Sequence, residues 1–221
     1  MEKNKKIKIG CASAFWGDTN DASAQLVNSN ELNYLVFDYL AEVTMSILAA
    51  SQMKNPNLGY ANDFISQTGP LLSEIKAQGI KVISNAGGIN PIACREALIK
   101  EADKQGLNFK IAIVEGDNLF HQRDDFLKKR VQDIDTNSDM PESVTSINAY
   151  LGAEPIRRAL EEGADIIITG RCVDSAVTLG PLMYEFGWKS TDYDLLAAGS
   201  LAGHIIAVSY THLTLPTTPY V

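Results

Sequence analysis

One three-part signal recurs along the chain: a helix-like stretch ends in glycine, an apolar residue follows, and a short β-branched run begins. It appears as Gln78-Gly79-Ile80 before Val82-Ile83 and as Gln105-Gly106-Leu107 before Ile111-Ala112-Ile113-Val114. It returns as Glu162-Gly163-Ala164 before Ile166-Ile167-Ile168. Glycine takes the left-handed conformation that closes a helix, and the next apolar residue packs back on the last turn. The runs are apolar without alternation, which marks strands covered on both faces and hence a parallel sheet. Two earlier runs, residues 6–11 and 34–37, extend the same sheet. Between the third and fourth strands, Asn90 caps a helix with Pro91 at its first position and a stripe of Cys94, Ala97, Leu98 and Ala102. The order is strand, loop, strand, helices, strand, helix, strand, helices, strand, helix. The expected fold is α/β: a mostly parallel sheet with helices on both faces, doubly wound or closely related.

Two stretches break this rhythm. Residues 132–143 are polar, with Asp133, Asp135, Asn137 and Asp139 at alternate positions. A calcium loop needs glycine at its sixth position and glutamate at its twelfth, and here Ser138 and Val144 stand there, so the stretch reads as a solvated surface loop. At the other end, residues 195–206 read as a helix of small and apolar residues. The string from Ser209 to Pro219 then carries no charge and two prolines. It looks like translated adapter DNA. The domain expectation is therefore one α/β domain over residues 1–207, incomplete at its C-terminal end, and a foreign tail over 208–221 without a partner in the domain.

Composition narrows the class. Hydrophobic residues at 45% and charged residues at 21% fit a soluble globular protein. A net charge of −8 argues against a nucleic-acid surface, which needs a basic face. No apolar run approaches the ~20 residues that span a bilayer, and no signal peptide follows the lysines at the start. Cys11, Cys94 and Cys172 are far apart and without metal-site spacing, as suits reduced thiols. The expectation is a cytoplasmic protein with no nucleic-acid or membrane partner and no metal site.

In a parallel sheet, ligands bind where the strands end. That rule collects Asp38 and Glu42 after the second strand, residues 85–91 after the third, Glu115 and Asp117 after the fourth, and Gly170, Arg171, Asp174 and Ser175 after the fifth. Asp38 with Glu42, and Glu115 with Asp117, are candidate acid–base pairs; helix capping and loop hydrogen bonding are the competing explanations. Asn85, Gly87, Gly88 and Asn90 form a loop whose glycines admit close backbone approach and whose helix start attracts anions. A plain strand-to-helix turn explains the same residues. The loop matches neither a dinucleotide fingerprint nor a Walker loop. Arg171 suits a carboxylate or phosphate, or else a salt bridge to Asp174. Cys172 reads as a packing residue, His121 as a surface residue, and Phe15 and Trp16 as core or pocket wall.

These strand exits also carry a resemblance. Residues 9–18 (IGCASAFWGD), 34–42 (YLVFDYLAE), 84–91 (SNAGGINP), 114–117 (VEGD) and 169–176 (TGRCVDSA) resemble the N-terminal domain of the acyclic terpene utilisation family. The likeness runs to about Ala207. It implies a bacterial catabolic protein that handles acyclic terpenes through coenzyme A thioesters, and it carries no established catalytic set. It also implies a longer chain, so part of the cleft would be missing here.

The leading expectation is an enzyme of carboxylic-acid or acyl-CoA catabolism with lyase- or hydratase-like proton transfer. In it Asp38, Glu42, Glu115 or Asp117 moves the proton, and Arg171 with the 85–90 loop holds a small-molecule anion. No cofactor is identified beyond a coenzyme A thioester as substrate. The alternative is a non-catalytic subunit or ligand-binding partner of a catabolic complex; a nucleotide-binding module ranks third. A homo-oligomer stays open.

Overall fold

The computed structural model describes residues 5–212, with side chains to Ala207. Its centre is a five-stranded sheet of β1 (Ile9–Cys11), β2 (Tyr34–Phe37), β3 (Lys81–Ser84), β4 (Ile111–Val114) and β5 (Ile166–Thr169). Every pairing is parallel, and the spatial order is β1-β2-β3-β5-β4. The helices are α1 (Ala22–Asn28), α2 (Glu42–Lys54), α3 (Asp63–Thr68), α4 (Leu72–Gln78), α5 (Pro91–Lys104), α6 (Arg123–Lys128), α7 (Glu154–Glu161), α8 (Ala176–Phe186) and α9 (Tyr193–His212). The expected α/β fold with a parallel sheet is present.

Alternation along the strands feeds two cores. Leu35, Phe37, Val82, Ile166 and Ile168 face one side, against Met45 and Leu48 of α2, Phe64 of α3 and Cys94 and Leu98 of α5. Tyr34, Val36, Ile83, Val114 and Ile167 face the other, against Ile156 and Leu160 of α7 and Val177 and Met183 of α8. Helices therefore cover both faces, which is why the strand runs need no polar alternation.

The helix stops behave as their sequence suggests: Gly79, Gly106 and Gly163 have φ of +69°, +66° and +81°. Asn90 caps α5, its side-chain oxygen accepting from the Ala93 N–H at 3.3 Å. One connection differs from expectation. The segment between β1 and β2, read as a loop, contains α1, a seven-residue helix of about two turns and too short to show a period. It is anchored by Val27 in the core.

Asp133 in the polar stretch accepts from the N–H groups of Asp135 and Thr136 at 3.1 and 2.7 Å, so its carboxylate closes a turn. Helix α9 passes the break expected at Ala207 and runs to His212; the rest of the expected tail, 213–221, lies outside the described residues. No helix among the described residues is long and apolar enough to cross a membrane.

The connection after β3 leaves through α5 over one face, and that after β5 leaves through α8 over the other. Because β3 and β5 are neighbours, their chains diverge at the carboxyl edge, the place where a parallel sheet opens a crevice.

Candidate functional site

Asp38, Asn85 and Arg171 are all buried at this edge, 5%, 0% and 4% exposed. Asp38 follows β2, Asn85 follows β3, and Arg171 follows β5, so adjacent strands deliver them. Asn85 fixes the acid: its amide donates to Asp38 Oδ1 at 2.5 Å, and its own oxygen accepts from the Tyr39 N–H at 2.7 Å. Burial raises the Asp38 pKa from the ordinary carboxylate value to about 7, and the negative charge of Asp174 adds to the effect. The Asn85 hydrogen bond, the Arg171 charge and the Leu40 N–H oppose the shift without cancelling it. Asp38 can therefore exchange a proton near neutrality.

Arg171 has a dense but incomplete set of partners. Nη1 donates to Asp174 Oδ1 at 2.9 Å and to the Cys172 carbonyl at 3.1 Å; Nη2 reaches Glu42 Oε1 at 3.5 Å. The guanidinium lies 4.1 Å from the centroid of the Tyr150 ring, and the Tyr150 hydroxyl donates to Glu42. Nε is buried and has no partner among the described residues. Burial alone would make Arg171 easier to deprotonate, but the hydrogen bonds to Asp174 and Tyr150 outweigh it and keep it charged. Glu42 is the loosest member: it is 76% exposed, and its pKa is held low chiefly by the Tyr150 hydroxyl.

Asp117 supports the centre from behind. Its carboxylate accepts from the Arg171 N–H at 2.7 Å and from Asn148 Nδ2 at 3.0 Å. Gly170 is required here because a Cβ at that position would occupy the space of the Asp117 carboxylate. Burial raises the Asp117 pKa, while the Arg171 N–H is the leading opposing influence. Its contacts position the Arg171 backbone. Glu115, its expected partner, is exposed and makes no hydrogen bond or ion pair among the described residues.

The 85–90 loop differs from an anion cradle. The N–H groups of Ala86, Gly87, Gly88, Ile89 and Asn90 donate to Ser84 Oγ and to the carbonyls of Thr169, Asn85, Gly59 and Gly87. A Cβ on Gly88 would meet Leu48 at 2.5 Å and the Gly59 carbonyl at 2.6 Å, and one on Gly87 the Thr169 carbonyl at 2.5 Å. The chain itself fills the space that the glycines open. Asn90 is committed as a cap and to the Pro56 and Leu58 carbonyls, at 2.9 and 2.8 Å. Ser175 is buried against Gly203 of α9.

The strand-end rule thus brings Asp38, Glu42, Asn85, Asp117, Gly170, Arg171 and Asp174 into one network, leaves Glu115 outside, and gives Gly87, Gly88, Asn90 and Ser175 packing roles. Burial pushes the Cys11 and Cys172 thiols up to about 12, so both are held as neutral packing groups.

Residues 7–211 match the family model described as acyclic terpene utilisation family protein AtuA. The chain belongs to this family. No curated protein and no solved structure matches it. In this AtuA-family chain, the motifs at four of the five strand exits contribute to one centre: VFD supplies Asp38, SNAGG supplies Asn85, EGD supplies Asp117, and GRCVD supplies Arg171 and Asp174. Sequence reasoning missed Tyr150 and Asn148. They lie in an irregular segment without strand or helix periodicity, so no pattern marked their return to the sheet edge.

Proposed function

We propose that this AtuA-family protein acts in the catabolism of acyclic terpenes or related carboxylic acids as a proton-transfer enzyme of lyase or hydratase type. The observation that carries the reading is the buried Asp38, oriented by Asn85 and poised near neutrality beside a buried arginine whose Nε has no partner among the described residues. In the reaction, Asp38 takes the proton α to a carbonyl, the C–H pair moves toward the carbonyl oxygen, and the Arg171 guanidinium stabilises the charge that develops there. Return of the proton, or departure of a β-substituent, completes the step.

Charge balance selects the substrate's head group. Arg171 faces Glu42, Asp174 and Asp38, three carboxylates against one cation. A free carboxylate or phosphate would have to displace one of them. A neutral carbonyl, such as that of a coenzyme A thioester, needs only a donor, and Glu42 at 3.5 Å is the contact most easily exchanged.

The test is exchange of the α-protons of a butyryl thioester in D2O. Wild-type protein should accelerate exchange, and Asp38→Asn should lower the rate by roughly 100-fold or more. Exchange at the buffer rate with wild-type protein would sink the reading. The alternative, a ligand-binding subunit of a catabolic complex, draws support from the partners already around Arg171; it requires thioester binding with no exchange.

A further inference from the structure

The same sheet edge carries a second feature, which the polar centre does not use. Helix α2 has no charged residue between Glu42 and Lys54, although Val43, Ile47 and Met53 are 72%, 49% and 77% exposed. Against its C-terminal half lies a groove of about 440 Å³ lined by Ala49, Met53, Ile89, Phe120 and Val144, with uncharged polar residues between them. No lining residue among those described is charged. The volume is that of a small-molecule site.

The walls of this groove lead to the polar centre. One wall is α2, which begins at Glu42. The other belongs to the segment that ends at Tyr150; it is fixed to the chain after β4 by Leu119 N–H to the Ile147 carbonyl and Ala149 N–H to the Asp117 carbonyl, both 2.8 Å. The walls meet where the Tyr150 hydroxyl donates to Glu42, beside Arg171. At about 1.5 Å per residue, Ala49 lies roughly 10 Å along α2 from Glu42. A ligand whose polar head replaces Glu42 at Arg171 would run its hydrocarbon tail along α2 to the space between Ala49, Phe120 and Val144.

We propose that this groove is the acyl-chain site of the protein: it holds the uncharged, flexible hydrocarbon tail of an acyl thioester, with Met53 and Phe120 at its open side setting the preferred chain length. The position of the head rests on the function proposed above, whereas the groove and its apolar lining do not. The occupant is a small amphipathic molecule because the cavity has small-molecule size, has no charged residue among its described lining, and shares both of its walls with the polar centre.

The experiment measures binding of the N-acetylcysteamine thioesters of butyric, hexanoic, octanoic and decanoic acids to the full chain by calorimetry. Affinity should rise by up to about fourfold per added methylene, the increment for burying CH2 groups, and level off when the groove is full. Met53→Asp and Phe120→Asp place a charge in the groove at exposed positions and should each flatten that dependence. Ile134→Asp, 92% exposed and outside the groove, should preserve it. An affinity independent of chain length in the wild type, or an unchanged slope in both groove variants, would overturn the assignment. The α-proton exchange of the butyryl probe reads the polar centre alone, so loss of exchange with a preserved slope would reject the catalytic reading and keep the groove.

Discussion

The two ends of the sheet each hold an aspartate, and the two are tuned in opposite directions. At the amino edge, Asp165 pairs with Lys81 at 3.2 Å and Lys76 at 3.3 Å and accepts from the Lys110 N–H at 3.0 Å. Burial alone would raise its pKa, but these donors and cations more than compensate, and it is lowered. At the carboxyl edge, Asp38 has one amide, one backbone N–H and a cation shared with two other acids, and its pKa rises to about 7. Both aspartates are at strand ends and both are hydrogen-bonded. What separates them is burial, nearly complete at Asp38 and partial at Asp165, together with the local count of positive charge. The amino edge stabilises its carboxylate, while the carboxyl edge holds one whose charge changes near neutrality.

The sharpest way to break this comparison is Asp38→Asn. Asp38 binds its proton more tightly in the folded protein than in the unfolded chain, so wild-type stability should fall as pH rises from about 4 through 7. The amide keeps an acceptor for Asn85 and carries no charge, so the variant escapes that loss. Urea denaturation should show equal stability near pH 4 and an advantage for the variant above pH 7, on the order of 4 kcal/mol at most. Parallel pH profiles for the two proteins would mean that Asp38 is not tuned as described.

Arg171→Met should produce the next largest effect, with the opposite sign. It removes the cation while keeping apolar contact with Tyr150, and it leaves Asp174 and Asp38 with less compensation. Breaking such a buried pair costs about 3 kcal/mol, the low end of the range because Asp174 is 34% exposed. The Asp38 proton should also be held to higher pH, because Arg171 is one of the groups that lower its pKa. A variant as stable as wild type, with the same Asp38 midpoint, would detach Arg171 from the centre.

How much of this was legible in the sequence follows from the range over which each signal acts. Strand runs and glycine stops are local, so the sheet and the α5 cap read directly. The strand-end rule is a fold-level statement, and it collected Asp38, Asn85, Asp117 and Arg171 although each lies on a different connection. Pairing was not legible. That Asn85 orients Asp38 depends on β2 and β3 being neighbours, and that Gly170 makes room for Asp117 depends on β4 pairing with β5. Gly87 and Gly88 show the limit most clearly. Glycine reports that something comes close, and only the structure says that it is Thr169, Leu48 and Gly59. Tyr150 carried no local signal, because its position is set by tertiary contacts at the end of an irregular segment.

The smallest effect tests the quiet end of the comparison. Asp165 has a lowered folded pKa, so its contribution is present above the unfolded value near 4 and is lost as pH falls through the folded one. Asp165→Asn should therefore destabilise the protein at neutral pH and converge with wild type in acid. The cost should be only about 1 kcal/mol, because the Lys76 and Lys81 pairs are partly exposed and an amide can still accept from the Lys110 N–H. The sign carries the argument: the same substitution should raise stability at one end of the sheet and lower it at the other, in one buffer series. If both variants moved stability in the same direction at neutral pH, the two edges would not be tuned in opposite directions.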